Sequence, residues 1–398
     1  MSTFLPQLPL PDSPLALFGL LLIAGVIGGE LMRRVLRLPR IVGYVVIGML
    51  LGASGLRLLD EKLLNEASSF VDIALGLVLY ELGLRLDFSW LKRDRWLLAT
   101  GVAESALSFG FIYYALRYFD VGVLHAAVAA AIGVATSPAV VMLVAQELKA
   151  EGQVTERALN LTAINSVVAF VLVTMLLSWI HHEYRAGWTR AVLHPVYLFA
   201  GSLLLGYTSF MAALWLSQWL GKQAERQFVV VLALIIAAVG VARMLDLSVL
   251  IALLAFGVFA RNLDERHDLA AVDLSKVGQL FFVVLFVVTG ARLQLYELVA
   301  GGSLAVAYIL ARFTGKSIAV MSLAHFSGVR PGTAGMLCLA LTPMSGMAMT
   351  MVQGTAGLYP EFVSRLSAIV LSAVIILEIA GPIAVQFAFT RAGEGKVQ

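Results

Sequence analysis

Charged residues are scarce in this chain: Asp, Glu, Lys and Arg make up 13% of its 398 positions, whereas hydrophobic residues make up 60%. This balance excludes an ordinary soluble globular domain, in which about a quarter of the residues are charged. The single cysteine, Cys338, excludes an intrachain disulfide and a cysteine metal cluster. The composition therefore predicts a polytopic membrane protein.

Several sequence motifs of energy-using proteins are also missing. Neither G-x-x-x-x-G-K-[ST] nor a G-x-G-x-x-G after a strand occurs, which argues against an ATP-driven pump. Residues in the middle of the apolar runs provide no activated Ser/His pair and no His/Cys/Asp metal set, so neither an enzyme nor a cofactor is expected. Residues 1–13 contain no Lys or Arg, so the first apolar run is interpreted as an uncleaved membrane anchor.

Long apolar runs occupy almost the whole chain. A hydrocarbon core about 30 Å thick requires roughly 20 apolar residues per helix, and this length predicts an all-α fold with about 13 transmembrane helices. The expected crossings are residues 14–32, 42–56, 70–86, 96–118, 121–143, 158–180, 196–220, 228–245, 249–260, 280–293, 304–325, 332–358 and 362–389. Because these spans leave no room for a soluble domain, residues 1–398 are predicted to form one membrane domain.

Positive charge is distributed unevenly between the loops. The loop after the first crossing contains four arginines, and this loop, the alternate loops and the tail together hold 18 of the 28 Lys and Arg residues. Lys and Arg in short loops stay in the cytoplasm, so the N-terminus is predicted outside and the C-terminus inside, in what we interpret as a bacterial inner membrane. The pI near 9.0 follows from these loops. The lipid bilayer is the expected partner, and nucleic acid is not.

Two proline-containing segments interrupt predicted crossings. The fifth crossing contains Thr136-Ser137-Pro138, and the twelfth, seven crossings later, contains Thr342-Pro343-Met344-Ser345. A proline inside a helix removes a backbone hydrogen bond, and neighbouring Ser and Thr residues can satisfy the freed carbonyls. The odd separation makes the two segments run in opposite directions, as inverted repeats require, so both are predicted to unwind at a binding site. Two ordinary proline kinks in unrelated helices are the alternative.

Several short segments share the pattern of one transporter family. They are residues 38–52 (LPRIVGYVVIGMLLG), 80–87 (YELGLRLD), 249–261, Phe281-Phe282 with Thr289-Gly290, and 377–382 (LEIAGP). Together they resemble the monovalent cation/proton antiporter superfamily, in its sodium/proton and potassium-efflux branches. The resemblance covers residues 15–389.

The resemblance implies an alternating-access transporter in which a dimerisation subdomain and a mobile core subdomain are interleaved, and it implies a homodimer. In that fold the fifth and twelfth helices cross where they unwind. Family members commonly have Thr-Asp-Pro at the fifth-helix break and Asn-Asp or Asp-Asp on the sixth helix. This chain has Thr136-Ser137-Pro138 and Asn165-Ser166 instead, so both expected aspartates are serines.

The two serines change the expected ion chemistry, because a hydroxyl carries no charge and does not titrate near neutral pH. We expect Glu81, near the end of the third crossing, to supply the ionisable oxygen. A cytoplasm-facing acid near Arg85 is the alternative for Glu81. The neutral ligands expected around an alkali cation are Thr136, Ser137, Asn165 and Ser166.

Other charged residues within the crossings are also candidates, because intramembrane charge is costly and tends to be functional. Glu104, Arg312 and Lys316 are predicted to take part in proton coupling or to form a charge pair, and a structural Glu104–Arg312 pair is one alternative. Arg312 and Lys316 could instead leave the crossing positive enough for an anion. Asp72 is interpreted as an acid at a helix start or a coupling acid, and Glu378 as a core residue or a coupling acid.

Three functions remain open on the sequence alone. The first is a secondary antiporter that exchanges Na⁺ or K⁺ for protons, with electroneutral coupling. The second is a divergent homologue that conducts passively, transports an anion or another solute, or has a non-transport role. The third is an unrelated transporter or membrane protein with similar broken helices.

Overall fold

The computed structural model describes residues 14–89, 94–184, 188–221, 223–264, 272, 274–344, 348–349, 351–352 and 360–395. Within these residues all regular structure is helical, as expected of backbone that must satisfy its own hydrogen bonds in lipid. The helices are α1 (Pro14–Leu31), α2 (Arg40–Leu51), α3 (Glu61–Glu66), α4 (Ser68–Arg85), α5 (Arg95–Tyr118), α6 (Val123–Val134), α7 (Pro138–Leu148), α8 (Gln153–Tyr184), α9 (Trp188–Leu220), α10 (Ala224–Met244), α11 (Val249–Asn262), α12 (Ser275–Arg292), α13 (Leu295–Ala324), α14 (Pro331–Ala340) and α15 (Pro360–Arg391).

The predicted number of crossings is confirmed. In the described part of the chain, nine helical stretches are long and apolar enough to span a membrane, and four shorter apolar helices accompany them. Each of the 13 predicted crossings overlaps one of these. The fifth crossing is an unbroken span by hydropathy but consists of two helices, α6 and α7. The chain is therefore an integral membrane protein.

Short helices are accommodated by close packing inside the bundle. The α2 helix has only 12 residues, about 18 Å at 1.5 Å per residue. Its Gly48 lies against the backbone of Val287 on α12, where a Cβ would collide with the Val287 carbonyl oxygen. Small residues at such positions allow membrane helices to approach closely.

The helices form two packing groups. One group comprises α1, α2, α4 and α9–α12, and the other comprises α5–α8 and α13–α15. In the second group, α5 packs along α13 through a stripe of buried residues on each helix, including Glu104 on α5 and Lys316 on α13. Gly315 permits this approach, because a Cβ there would meet the Leu107 backbone on α5. The second group therefore brings two charged side chains together in its interior.

Candidate ion-binding site at two broken helices

The fifth crossing is broken between α6 and α7. Helix α6 ends at Val134, and the backbone is extended at Ala135 and Ser137 before Pro138 begins α7. The Ser137 hydroxyl oxygen accepts a hydrogen bond from the Val140 N–H (3.4 Å), as an N-cap residue does. The N–H of the first helical residue has no partner within the helix, so a proline, which lacks this N–H, loses no hydrogen bond there. Pro138 therefore favours the start of a new helix.

The twelfth crossing is broken after α14, and the two breaks are in contact. Helix α14 ends at Ala340, and Thr342, Pro343 and Met344 are non-helical. The Ser137 N–H donates to the Pro343 carbonyl (3.0 Å), and the Thr136 hydroxyl donates to the Leu341 carbonyl (3.3 Å). The predicted crossing of two discontinuous helices is therefore confirmed, while Ser345 lies outside the described residues.

Helix α8 places Asn165 and Ser166 against the first break. The Thr136 N–H donates to Asn165 Oδ1 (3.0 Å), and Asn165 Nδ2 donates to Thr136 Oγ1 (2.9 Å). The Ser166 hydroxyl donates to the Thr136 carbonyl (3.3 Å). These bonds hold the extended segment open, so the structure brings three predicted ligand residues together around one stretch of backbone.

A buried ion pair adjoins this segment. The Lys316 ammonium on α13 contacts the Glu104 carboxylate on α5, and it also donates to the Val134 carbonyl (2.9 Å) and to Thr136 Oγ1 (3.2 Å). Asn165 Nδ2 lies 3.3 Å from both carboxylate oxygens of Glu104. A single hydrogen-bonded network thus joins an acid and a base to the neutral polar residues.

Arg312 binds the backbone of both breaks. Its guanidinium donates to the carbonyls of Gly133 (2.8 Å) and Ala135 (2.7 Å) at the first break. It also donates to the carbonyls of Thr342 (2.7 Å) and Pro343 (3.2 Å) at the second. Cations are stabilising at helix C-termini, where the last carbonyls lack intrahelical partners.

The alternative pairing of Glu104 with Arg312 is therefore wrong. Lys316 takes that place, because it lies one turn further along α13 beside Glu104, while the five donors of the Arg312 fork match several carbonyls. Two helix C-termini carry roughly half a negative charge each, which offsets one guanidinium. Lys316 is balanced by Glu104, but the N-terminus of α7 adds partial positive charge at the same break, so the anion alternative stays a hypothesis.

The network is closed to solvent. Each of its five side chains is at most 1% exposed, namely Glu104, Thr136, Asn165, Ser166 and Lys316. We refer to this conformation, in which the network is buried, as the occluded conformation.

A family comparison identifies the transporter class. The family model described as "Sodium/hydrogen exchanger, transmembrane" matches residues 19–390, almost the whole chain. The chain belongs to the sodium/hydrogen exchanger family. This is a family of transporters and not of enzymes. Comparison with curated protein sequences gives no match.

Solved structures of a sodium proton antiporter share the fold of this chain. A structure of the sodium proton antiporter MjNhaP1 from Methanocaldococcus jannaschii at pH 8 has a TM-score of 0.64 and 13% identity, covering 96% of this chain and 98% of that one. A structure of the same antiporter from electron microscopy has a TM-score of 0.70 and 17% identity, and the match covers 95% of this chain and 96% of that one. At these identities the likeness shows the fold alone.

Glu81, the expected coupling acid of this exchanger-family chain, lies away from the break. Its carboxylate accepts a hydrogen bond from Gln146 Nε2 (2.7 Å) near the end of α7. Gln146 follows Pro138 by eight residues, about 12 Å along the helix. The structure therefore places Glu81 towards the end of α7 that leads to the surface.

The two other acids considered as coupling candidates, Asp72 and Glu378, differ in their surroundings. Asp72 on α4 pairs with Arg243 on α10. Glu378 on α15 is fully buried, and its carboxyl oxygens have no hydrogen-bond partner among the described residues.

A cavity of about 560 Å³ opens where the two helix groups meet at the ends of α4 and α11 and the start of α8. The Arg85–Glu156 ion pair (2.8 Å) crosses it from one group to the other. Charged residues line the cavity, namely Arg85, Asp87, Asp94, Glu156, Arg157 and Arg261. Such a surface suits water and ions, so we interpret the cavity as an aqueous vestibule.

Two positioning residues were missed by the sequence argument. Gly315 allows α5 and α13 to approach, and its place directly before Lys316 was an available signal, because small residues mark tight contacts between membrane helices. Gln146, the partner of Glu81, gave no comparable signal, since a lone polar residue near a helix end is usually solvated.

Proposed function

We propose that this exchanger-family chain is a secondary antiporter that exchanges a monovalent cation, Na⁺ or K⁺, for protons by alternating access. The observation that carries the proposal is the buried Glu104–Lys316 pair within the network at the two breaks. Glu104 is a buried carboxylate beside Asn165 and Lys316, close to Ser137 and Ser166, the two positions at which the family resemblance implies aspartates. The breaks supply the neutral oxygens that a desolvated alkali cation needs.

The exchange step follows from competition for Glu104. A cation that enters the network displaces the Lys316 ammonium from the carboxylate. Without its counter-charge, Lys316 transfers one proton to water and becomes a neutral amine. The net charge of the site is then the same before and after, so one cation exchanges for one proton and the step is electroneutral.

Neutral oxygens complete the proposed site. Hydroxyl and amide oxygens coordinate alkali cations without contributing charge. Thr136 and Asn165 already contact Glu104 or Lys316 in the network, and Ser137 and Ser166 lie on or against the same segment. We assign these four side chains as ligands around Glu104.

We propose a different role for Glu81, outside the ion-binding network. It lies one helical turn before Arg85, which lines the vestibule, and it is bonded to Gln146 on α7. We assign it to the access path between the vestibule and the breaks, where a carboxylate attracts cations. The earlier hypothesis that Glu81 itself couples protons is tested alongside Glu104.

The assembly proposed here is a homodimer of one-domain chains. The two packing groups would act as the dimerisation subdomain, with α1, α2, α4 and α9–α12, and the core subdomain, with α5–α8 and α13–α15. The N-terminus would be outside and the C-terminus in the cytoplasm of a bacterial inner membrane. A particle with twice the 42.8 kDa chain mass in native mass spectrometry would support the dimer.

Transport in proteoliposomes tests the assignment. Vesicles loaded with Na⁺, K⁺ or Li⁺ and a pH dye are diluted into cation-free medium, and internal acidification is expected for the wild-type protein. Glu104→Gln should abolish it, while Glu225→Gln, on an exposed position of α10, should leave it unchanged. Loss in Glu81→Gln with retention in Glu104→Gln would transfer the coupling role to Glu81.

The same assay addresses the divergent-homologue alternative, which the two serines favour. Absence of a response to all three cations, in a protein that is folded and inserted, would overturn cation/proton exchange. A chloride- or bicarbonate-dependent signal would then point to an anion.

A further inference from the structure

Glu378 on α15 is the one acid in the described part of the chain that is both fully buried and without any hydrogen-bond partner on either oxygen. Glu104, equally buried, has Lys316 and Asn165 as partners. A buried ionised carboxylate without hydrogen bonds or a counter-charge is far less stable than the neutral acid. The surroundings of Glu378 therefore fit a carboxyl group that carries a proton.

Glu378 lies close to the second break. Gly381, three residues further along α15 and on the same helix face, packs directly on Pro343, so that a Cβ there would meet the Pro343 Cα. The Pro343 carbonyl accepts hydrogen bonds from the Ser137 N–H and from Arg312. Glu378 is thus one turn from the contact between α15 and the crossing point of the broken helices.

The cations and the buried tyrosine of α13, the helix most extensively packed on α15, have partners other than Glu378. Arg312 binds backbone carbonyls, Lys316 binds Glu104, and the Tyr308 hydroxyl donates to the Ala129 carbonyl. Glu297, in the first turn of α13, is another acid and supplies no counter-charge.

Among the side chains that the structure describes, the Lys and Arg residues of the other helices packed on α15 are also paired with acids. Arg40 on α2 pairs with Glu147 on α7 (3.8 Å), and Arg157 on α8 pairs with Asp94 (2.5 Å). The Glu156 carboxylate of α8 pairs with Arg85. Helices α6 and α14 contribute as titratable groups only His125 and Cys338, and neither is bonded to Glu378.

We propose that Glu378 is a second proton-binding site, separate from the Glu104–Lys316 pair, which holds a proton in the occluded conformation and releases it to water when the second break rearranges. The release is a simple ionisation: the carboxyl O–H bond breaks, the proton passes to water and the carboxylate remains. This inference does not rest on the proposed cation exchange, because it concerns a group outside that network.

The proposal links pH to conformation in a definite direction. The occluded state binds one more proton than the rearranged state, so lowering the pH favours the occluded state. For one proton the ratio of the two states changes by up to tenfold per pH unit.

Infrared difference spectroscopy on the purified full-length protein detects the proton directly. A protonated carboxyl has a carbonyl stretch separate from the amide and carboxylate bands. We expect a titrating acid band in the wild-type protein that disappears in Glu378→Gln and persists in the exposed control Glu225→Gln. An unchanged band in Glu378→Gln, or no such band in the wild-type protein, would overturn the proposal.

A distance measurement tests the conformational link. Spin labels are attached at Glu151→Cys and Leu263→Cys in a protein that also carries Cys338→Ser, which removes the native cysteine. Both positions are exposed and lie next to residues on opposite sides of the vestibule. The wild-type distance distribution should shift with pH, and Glu378→Gln, which mimics the neutral acid, should reduce that shift or move its midpoint. The same midpoint and amplitude in both proteins would contradict the link. Because Glu378 has no partner to lose, the variant should keep its melting temperature.

Discussion

Arg312 and Lys316 lie one helical turn apart on α13 and bind different partners. The planar guanidinium donates to four carbonyls across both breaks, whereas the compact ammonium contacts one carboxylate, Glu104. The two cations are not interchangeable, because Arg presents five donors in a fixed fork and Lys is a point charge with three. At the residue scale, the shape of each cation decides what it stabilises.

Arg312→Lys should destabilise the protein although the charge is kept. An ammonium cannot reach carbonyls of both breaks, and each buried carbonyl left without a donor costs about 1–3 kcal/mol. We expect a loss of roughly 3 kcal/mol, measured by unfolding in detergent, with reduced transport. Arg330→Lys, at an exposed position, is the matched control. Wild-type stability in Arg312→Lys would show that the carbonyl contacts are dispensable.

A double-mutant cycle should show strong coupling between Glu104 and Lys316. Removing either partner leaves an uncompensated buried charge, which costs about 3–5 kcal/mol, while replacing both by apolar residues can be close to neutral. The double variant Glu104→Leu with Lys316→Met should therefore be more stable than either single variant and inactive in exchange. Additive losses of stability would argue against a direct ion pair.

At the scale of elements, the site depends on how closely α5 and α13 approach. Gly315 lies against the Leu107 carbonyl and the Ser108 Cα of α5, closer than a side chain allows. The Lys316 ammonium reaches Glu104 because the two helix axes are this near.

Gly315→Ala should weaken the site through helix separation. A Cβ at Gly315 would overlap the α5 backbone, and such overpacking costs about 1–3 kcal/mol. Gly110→Ala on α5 is the matched control, because nothing lies within 4 Å of a Cβ there, and it should be neutral or slightly stabilising through helix propensity. Equal effects of the two substitutions on unfolding and exchange would refute the packing argument.

A second element-scale contact ties the C-terminal segment to α8, the helix that carries Asn165 and Ser166. The Glu394 carboxylate accepts hydrogen bonds from the N–H groups of Val154 (2.7 Å) and Thr155 (2.8 Å). A carboxylate at a helix N-terminus is stabilised both by the free N–H groups and by the helix dipole.

Glu394→Gln should loosen the first turn of α8. Loss of the capping charge costs about 0.5–2 kcal/mol, as for other helix caps. Hydrogen–deuterium exchange at residues 154–156 should speed up, while Glu151→Gln, an exposed acid in the preceding loop, should leave it unchanged. Exchange that stays at the wild-type rate in Glu394→Gln would mean that the cap adds nothing to the helix.

At the scale of the whole molecule, two helix groups meet around the vestibule and a closed site. The Arg85–Glu156 pair between the groups is about 40% exposed on each side, and surface pairs of this kind contribute about 0–1 kcal/mol. So weak a connection can break and re-form as the groups move, which alternating access requires.

The overall architecture could be predicted because membrane thickness fixes helix length and proline fixes where a helix can break. Hydropathy located all 13 crossings, and Pro138 and Pro343 marked both breaks. The choice of partner for Glu104 could not be predicted. Arg312 and Lys316 share one face of α13, and only the axial register of α5 against α13 places Lys316 beside the acid.

Cation-induced proton release by the purified protein tests the central claim most directly. Addition of Na⁺ or K⁺ to wild-type protein in weakly buffered detergent solution should release about one proton per bound cation, because binding displaces the Lys316 ammonium. The apparent cation affinity should fall by up to about tenfold per unit decrease in pH, as expected for competition with one proton. Glu104→Gln should release none, and Glu81→Gln should release the wild-type amount. Undiminished proton release from Glu104→Gln would contradict the account.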